Sequence, residues 1–151
     1  MIAPYVELQC TSHFSFLRGA SSCEELFAQA ATMDMPALAI CDRNSLAGIV
    51  RAHEAAKASG VRLIVGCRLD LAEEISILVY PTDRASYSRL CRLLSLGKKR
   101  GGKAKCVLHW DDVVAYGEGL VACSCPTRPT THHRCGCGGC ARHLAIGPIW
   151  R

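Results

Sequence analysis

The chain has 151 residues, a formal net charge of +5 and 11 cysteines. That length holds one domain with a real core, and a hydrophobic fraction of 50% excludes a disordered chain. No apolar run approaches the roughly 18–20 residues that a membrane span needs. Residues 1–20 also carry acidic and polar groups where an export signal would place its apolar stretch. A cytoplasmic protein without membrane contact is expected.

Tyr5–Gln9 reads as a short strand. Ser22, with Glu25 three residues on, forms a capping pattern that predicts a helix to about Met33, with Leu26, Phe27, Ala30 and Ala31 buried. Pro36 ends that segment. Ala37–Cys41 is a continuous apolar run suited to a strand covered on both faces. Asp42–Asn44 reads as a turn, followed by a helix from about Ser45 to Ser59. Its apolar stripe would be Leu46, Ile49 and Val50, with His53 next on the same face. Gly60 is a natural helix stop. Arg62–Val65 predicts a third strand ending at Gly66, and Ile75–Tyr80 a fourth. Thr82 or Asp83 caps a helix with Tyr87, Leu90, Cys91 and Leu94 on one face. Lys98–Lys105 reads as a basic, glycine-bearing loop. A short helix starts near Asp111, and Gly119–Ala122 predicts a fifth strand. This β-α-β-α-β rhythm argues for an α/β fold with parallel strands and helical crossovers. Five strands are too few for a closed parallel barrel, which usually takes about 200–250 residues. The sheet is therefore open, or the barrel incomplete.

Cysteine and charge are both unevenly spread. Cys10, Cys23, Cys41, Cys67, Cys91 and Cys106 are scattered singly, as reduced core residues would be. The other five crowd into residues 123–151. That tail also holds Arg128, Arg134, Arg142 and Arg151 with no acid, which leaves residues 1–122 with 14 basic and 13 acidic groups. Cys137-x-x-Cys140-x-x-His143, with Cys125 or His133, has the donor types of a zinc site and suggests a zinc-binding adaptor. The tail lacks a second well-spaced Cys pair and the apolar residues of a small core. A competing reading is favoured. With GC-rich codons assumed, a one-base shift turns Ala122–Thr127 into Leu-Leu-Leu-Pro-Asp, and the sequence beyond becomes helix-compatible. The expected organisation is a folded segment over 1–122, followed by a tail over 123–151 that is disordered or out of frame.

Several blocks in order carry a family resemblance. Tyr5–Ser21, Pro36–Asp42 with Leu46–Ala52, Leu63–Arg68 and Leu90–Lys103 resemble bacterial error-prone DNA polymerases. These are C-family enzymes related to the replicative polymerase III alpha subunit. The resemblance covers about residues 4–122. It implies the N-terminal part of a PHP domain (polymerase and histidinol phosphatase), an incomplete (β/α)7-type barrel. Active PHP domains hold two or three metals and hydrolyse phosphoesters, the metals activating water and neutralising phosphate charge.

The family's metal ligands can be carried over one at a time. Its opening His-x-His falls on Gln9 and Thr11. Its early Asp falls on Arg18. The His closing Thr-Asp-His falls on Arg43, with Asp42 kept, and the Glu after Val-Gly-x falls on Arg68. None of the five is a ligand here, and three are fixed cations that repel metal. No catalytic residue, bound metal or cofactor is expected in this segment. The full-length family uses Mg²⁺ for DNA synthesis past lesions, and its partners are DNA and other polymerase or mutasome subunits. This segment's own role would be structural. A metal-dependent phosphoesterase or 3′-5′ exonuclease is the enzymatic alternative. His13 reads as a loop or packing histidine, and His53 as partly buried structure. His109, beside Trp110, has no partner visible in sequence. Cys41 and Cys67 read as buried packing. Lys98, Lys99, Arg100, Lys103 and Lys105 either contact DNA phosphates or form a solvated loop.

Overall fold

The computed structural model describes residues 5–124. Strand β1 (Glu7–Cys10) is followed by helix α1 (Cys23–Thr32), strand β2 (Ala37–Arg43), helix α2 (Ile49–Ser59) and strand β3 (Arg62–Asp70). Strand β4 (Ser76–Pro81), helix α3 (Arg84–Gly101), helix α4 (Trp110–Tyr116) and strand β5 (Leu120–Ser124) complete the described part. The five strands form one sheet in the order β1-β2-β3-β4-β5.

The local signals work as the sequence implies. Ser22 accepts from the Glu25 N–H while the Glu25 carboxylate accepts from the Ser22 N–H, closing the capping box of α1. Gly60 ends α2 in the left-handed region at φ 76°. Asp83, not Thr82, caps α3.

Four expectations change. Helix α2 starts at Ile49, because residues 45–46 are irregular and 47–48 form a turn. Its buried face is Ile49, Ala52, Ala55 and Ala56, while Val50 is 71% exposed and His53 lies on the solvent side. Small alanines face α1, so the helices pack closely with little large apolar surface. Strand β2 runs through Asp42 and Arg43, so the turn begins only at Asn44. Lys98–Gly101 form the last turn of α3 rather than a loop. Three cations there complement the exposed carbonyls at the helix end.

The parallel, helix-connected part holds for β1, β2 and β3. The sheet then continues antiparallel. β3 pairs with β4 through a hairpin, and β4 pairs with β5. Only residues 71–75 separate β3 from β4, too few for a crossover helix, so the chain must reverse. β5 runs two residues past the expected boundary at 122, with Leu78 opposite Cys123 and Ile77 opposite Ser124.

All four helices lie on one face of the sheet. Leu38, Ile40, Leu63 and Val65 meet α1 and α2 there. On the same face Cys67, Leu69, Ile77 and Val79 meet Leu90, Leu93 and Leu94 of α3 and Val113 of α4. The alternate side chains Ala39, Cys41, Ile64, Leu78 and Tyr80 cluster on the opposite face. The Tyr80 hydroxyl donates to the Leu8 carbonyl at 2.6 Å, reaching from β4 to β1. A flat sheet would separate those strands by about 14 Å, three strand spacings and more than a tyrosine spans. The sheet is therefore curled, helices outside, as in part of a barrel.

Candidate functional site

The C-terminal ends of β1, β2 and β3 gather the residues that the sequence singled out. Two polar nodes form there, one on each face of the sheet.

The outer node centres on Asp42, which is only 2% exposed. Its Oδ1 accepts from the Ser12 N–H at 2.9 Å and from the Ser15 hydroxyl at 2.8 Å. Its Oδ2 accepts from the Ser12 hydroxyl at 2.7 Å. The Ser15 hydroxyl in turn accepts from the Arg43 N–H at 2.9 Å. These bonds fold residues 11–19 back over the strand ends. At the tip of that loop Phe16 and Leu17 are 86% and 89% exposed. Asp42 thus serves as a structural anchor for a loop. Gly19 makes the fold-back possible, since a Cβ there would lie 2.2 Å from the Ser12 carbonyl oxygen.

The inner node contains Arg43 and Arg68, two positions onto which the family resemblance would carry metal ligands. Arg43 and Arg68 are register partners on β2 and β3. Asp70 Oδ2 accepts from Arg43 Nε, and Asp70 Oδ1 accepts from Arg68 Nε at 2.9 Å. Ser76 donates to Asp70 Oδ1 at 2.7 Å and accepts from Arg68 Nη2 at 3.0 Å. The Asp70 N–H donates to Asn44 Oδ1 at 3.0 Å, tying the node to the turn after β2. One carboxylate therefore bridges two adjacent guanidiniums and leaves the node with one net positive charge. Sequence reasoning missed Asp70 and Ser76. The Arg68-x-Asp70 spacing, which places both on one strand face, was the available signal.

A metal fits this node poorly. The one carboxylate there is occupied by two arginines and a serine, and the fixed guanidiniums repel a cation. Among the described residues no three His, Cys, Asp or Glu side chains come together as metal donors. Gln9 is exposed on β1, Thr11 follows that strand, and Arg18 is exposed on the loop. Cys125, Cys137, Cys140 and His143 lie outside the described residues, as does the rest of the tail beyond Ser124.

The remaining candidates have ordinary partners. His13 Nδ1 lies 3.2 Å from the Ser21 carbonyl, and its ring is tilted against Phe14. His109 finds Glu73, with Nδ1 3.1 Å from Oε1. Cys41 hydrogen-bonds the Leu8 carbonyl in the interior. Burial pushes the Cys67 thiol up to about 12, so it stays protonated and unreactive. The five cations of 98–105 divide. Arg100 pairs with Asp112. Lys98 and Lys105 line a cavity with Arg43, while Lys99 and Lys103 are exposed.

Burial opposes ionisation of Asp70, but hydrogen bonds from Arg68 and Ser76, the Arg68 charge and the Arg43 bond outweigh it. The carboxyl is held below its ordinary value of 3.8. A folded value below the unfolded one means that the stabilisation is complete above the unfolded value. It is lost as pH falls through the folded value. Asp70→Asn is therefore expected to lower the thermal midpoint at neutral pH, and the two proteins' midpoints should converge below about pH 4. Midpoints measured across pH 2–7 check this, and parallel curves would remove Asp70 from the account.

A curled sheet with helices on one face and a polar cluster at its parallel strand ends defines a partial α/β barrel with a mouth. The chain belongs to the PHP domain family, which it matches over residues 7–143. The relatives it matches include error-prone DNA polymerases. It is 69% identical over 122 residues to error-prone DNA polymerase 1 of Agrobacterium fabrum, covering 80% of this chain and 11% of that protein. It is 67% identical over 122 residues to error-prone DNA polymerase 2 of Rhizobium meliloti, with 81% and 11% covered. The Caulobacter vibrioides enzyme is 49% identical over 125 residues, with 82% and 12% covered. The chain thus spans about a ninth of these relatives. In fold it resembles a metal-dependent phosphoesterase from Bifidobacterium adolescentis, with a TM-score of 0.54 and 23% identity, covering 76% of this chain and 43% of that one.

Proposed function

We propose that this chain is the metal-independent PHP segment of an error-prone DNA polymerase and that its role is structural. The observation that carries the reading is the Arg43–Asp70–Arg68 node. Two positions that hold metal ligands in active relatives hold cations here, with their own internal counter-ion. Such a node can stabilise the barrel mouth, but it has neither the donors for a metal nor a base to activate water. DNA synthesis past lesions, with Mg²⁺ as its metal, is the activity proposed for the whole polymerase. DNA and further polymerase subunits are its proposed partners, in a cytoplasmic setting. High identity to named error-prone polymerases supports this. Among the described residues no helix is long and apolar enough to cross a membrane.

The test is hydrolysis of a chromogenic phosphate ester with Mn²⁺ or Zn²⁺ added. No metal-stimulated turnover is expected. Turnover abolished by a chelator would overturn the reading in favour of a phosphoesterase. One zinc equivalent that is lost in Cys137→Ser/Cys140→Ser, without turnover, would assign zinc to the tail and leave the PHP reading intact.

A further inference from the structure

We propose that the cavity beside Arg43 binds the phosphate of a nucleotide-sized ligand without a metal. This rests on the metal-independent reading above and extends it to a ligand. The cavity holds about 630 Å³ and is lined by Arg43, Asn44, Ser45, Lys98, Lys105 and Cys106, with Gly102 and residues 104–107 forming one wall. That volume lies within the range of small-molecule sites.

The charge of its lining points to an anion. Three cations line the cavity and no carboxylate does. Lys98 and Lys105 make no ion pair among the described residues. Arg43 is held to Asp70 through Nε, and its Nη groups make no hydrogen bond among the described residues. Like charges gathered on one lining repel unless an anion joins them. A phosphate dianion matches them in charge and in the number of acceptor oxygens. Asn44 and Ser45 add polar groups to the lining.

The wall is built rather than fortuitous. Residues 105–108 lie against α3 at Gly97 and Gly101. A Cβ on Gly97 would come within 2.6 Å of Leu108 Cδ2 and 2.7 Å of Cys106 Sγ. The Val107 N–H donates to the Gly97 carbonyl at 2.9 Å. This packing sets Lys105 against the helix end that carries Lys98. The Gly102 N–H also donates to the Lys98 carbonyl at 3.0 Å, which removes one acceptor from that end of the helix.

The phosphate could come from a free nucleotide or from nucleic acid. The full 151-residue chain is titrated calorimetrically at low salt with EDTA, using a deoxynucleoside monophosphate, inorganic phosphate and a single-stranded oligonucleotide. Binding of the monophosphate is expected, weakened about tenfold or more by Lys98→Ala/Lys105→Ala and by Lys98→Glu, but not by Lys57→Ala on α2. Far-UV circular dichroism establishes that these surface variants fold. Tighter binding of the oligonucleotide with the same dependence on Lys98 and Lys105 assigns the phosphate to nucleic acid. Equal weakening by Lys57→Ala would show unspecific charge attraction and overturn the proposal. No binding of any probe overturns it while leaving the metal-independent reading standing. Binding that appears only when the titration is repeated with Mn²⁺ in place of EDTA overturns both.

Discussion

Asp42→Ala is expected to destabilise the protein by about 2–4 kcal/mol, because a buried acceptor of several hydrogen bonds disappears and its donors are left in a small cavity. The donors are the Ser12 N–H, the Ser12 hydroxyl and the Ser15 hydroxyl. A domain of this size loses roughly 2–4 °C of thermal midpoint per kcal/mol. The loss is expected to be accompanied by faster amide exchange over residues 11–19, since that loop is tied to the sheet through this carboxylate. Asp42→Asn keeps the volume and one acceptor but points an amide N–H at a donor, so it falls between. A midpoint unchanged in both variants would mean that the loop is held by something else. The result bears on function because a kept Asp at this place looks like a surviving catalytic residue. Its carboxylate serves the loop on the helix-covered side of the sheet and has no free oxygen.

Gly19→Val is expected to destabilise by about 1–3 kcal/mol through overpacking. A Cβ at this position would lie 2.2 Å from the Ser12 carbonyl oxygen, 2.5 Å from the Ser12 carbonyl carbon and 2.8 Å from the Thr11 carbonyl oxygen. All three are main-chain atoms, so no side-chain rotation relieves the clash. The loop must open at the point where Ser12 meets Asp42. Ala20→Val, one residue on and exposed, is the control and should be nearly silent. Denaturant unfolding of the two variants measures the difference, and equal stability would refute the tight fold-back. Asp42→Ala/Gly19→Val should cost less than the sum of the single changes, because both release the same loop.

Much of the fold was legible before the coordinates. Ser22 with Glu25, Gly60 after α2 and the apolar run Ala37–Cys41 rest on hydrogen bonds and packing between near neighbours in sequence. The family blocks implied, by resemblance alone, that Gln9, Thr11, Arg18, Arg43 and Arg68 stand where active relatives hold metal ligands. The reading of α2 went astray because Val50 follows the stripe by hydrophobicity alone. The close approach of α1 selects alanines instead, and close packing favours small side chains over apolar ones as such. Lys98–Lys105 read as a loop because glycine and charge suggest one. The helix continues to Gly101 because Val107 and Leu108 dock against its glycines.

The sequence by itself determined the element order, the capping box of α1 and the glycine stop of α2. Each depends on residue type and short spacing. Only the tertiary structure decided that β4 and β5 turn antiparallel, that Tyr80 reaches Leu8 across the curled sheet, and that Arg43 and Arg68 share Asp70. It also decided that Lys98 and Lys105 face one cavity while Arg100 is taken by Asp112. The physical reason is separation along the chain. A charge finds its counter-ion through strand register and sheet curvature, and those are set by the whole core rather than by the residues beside it.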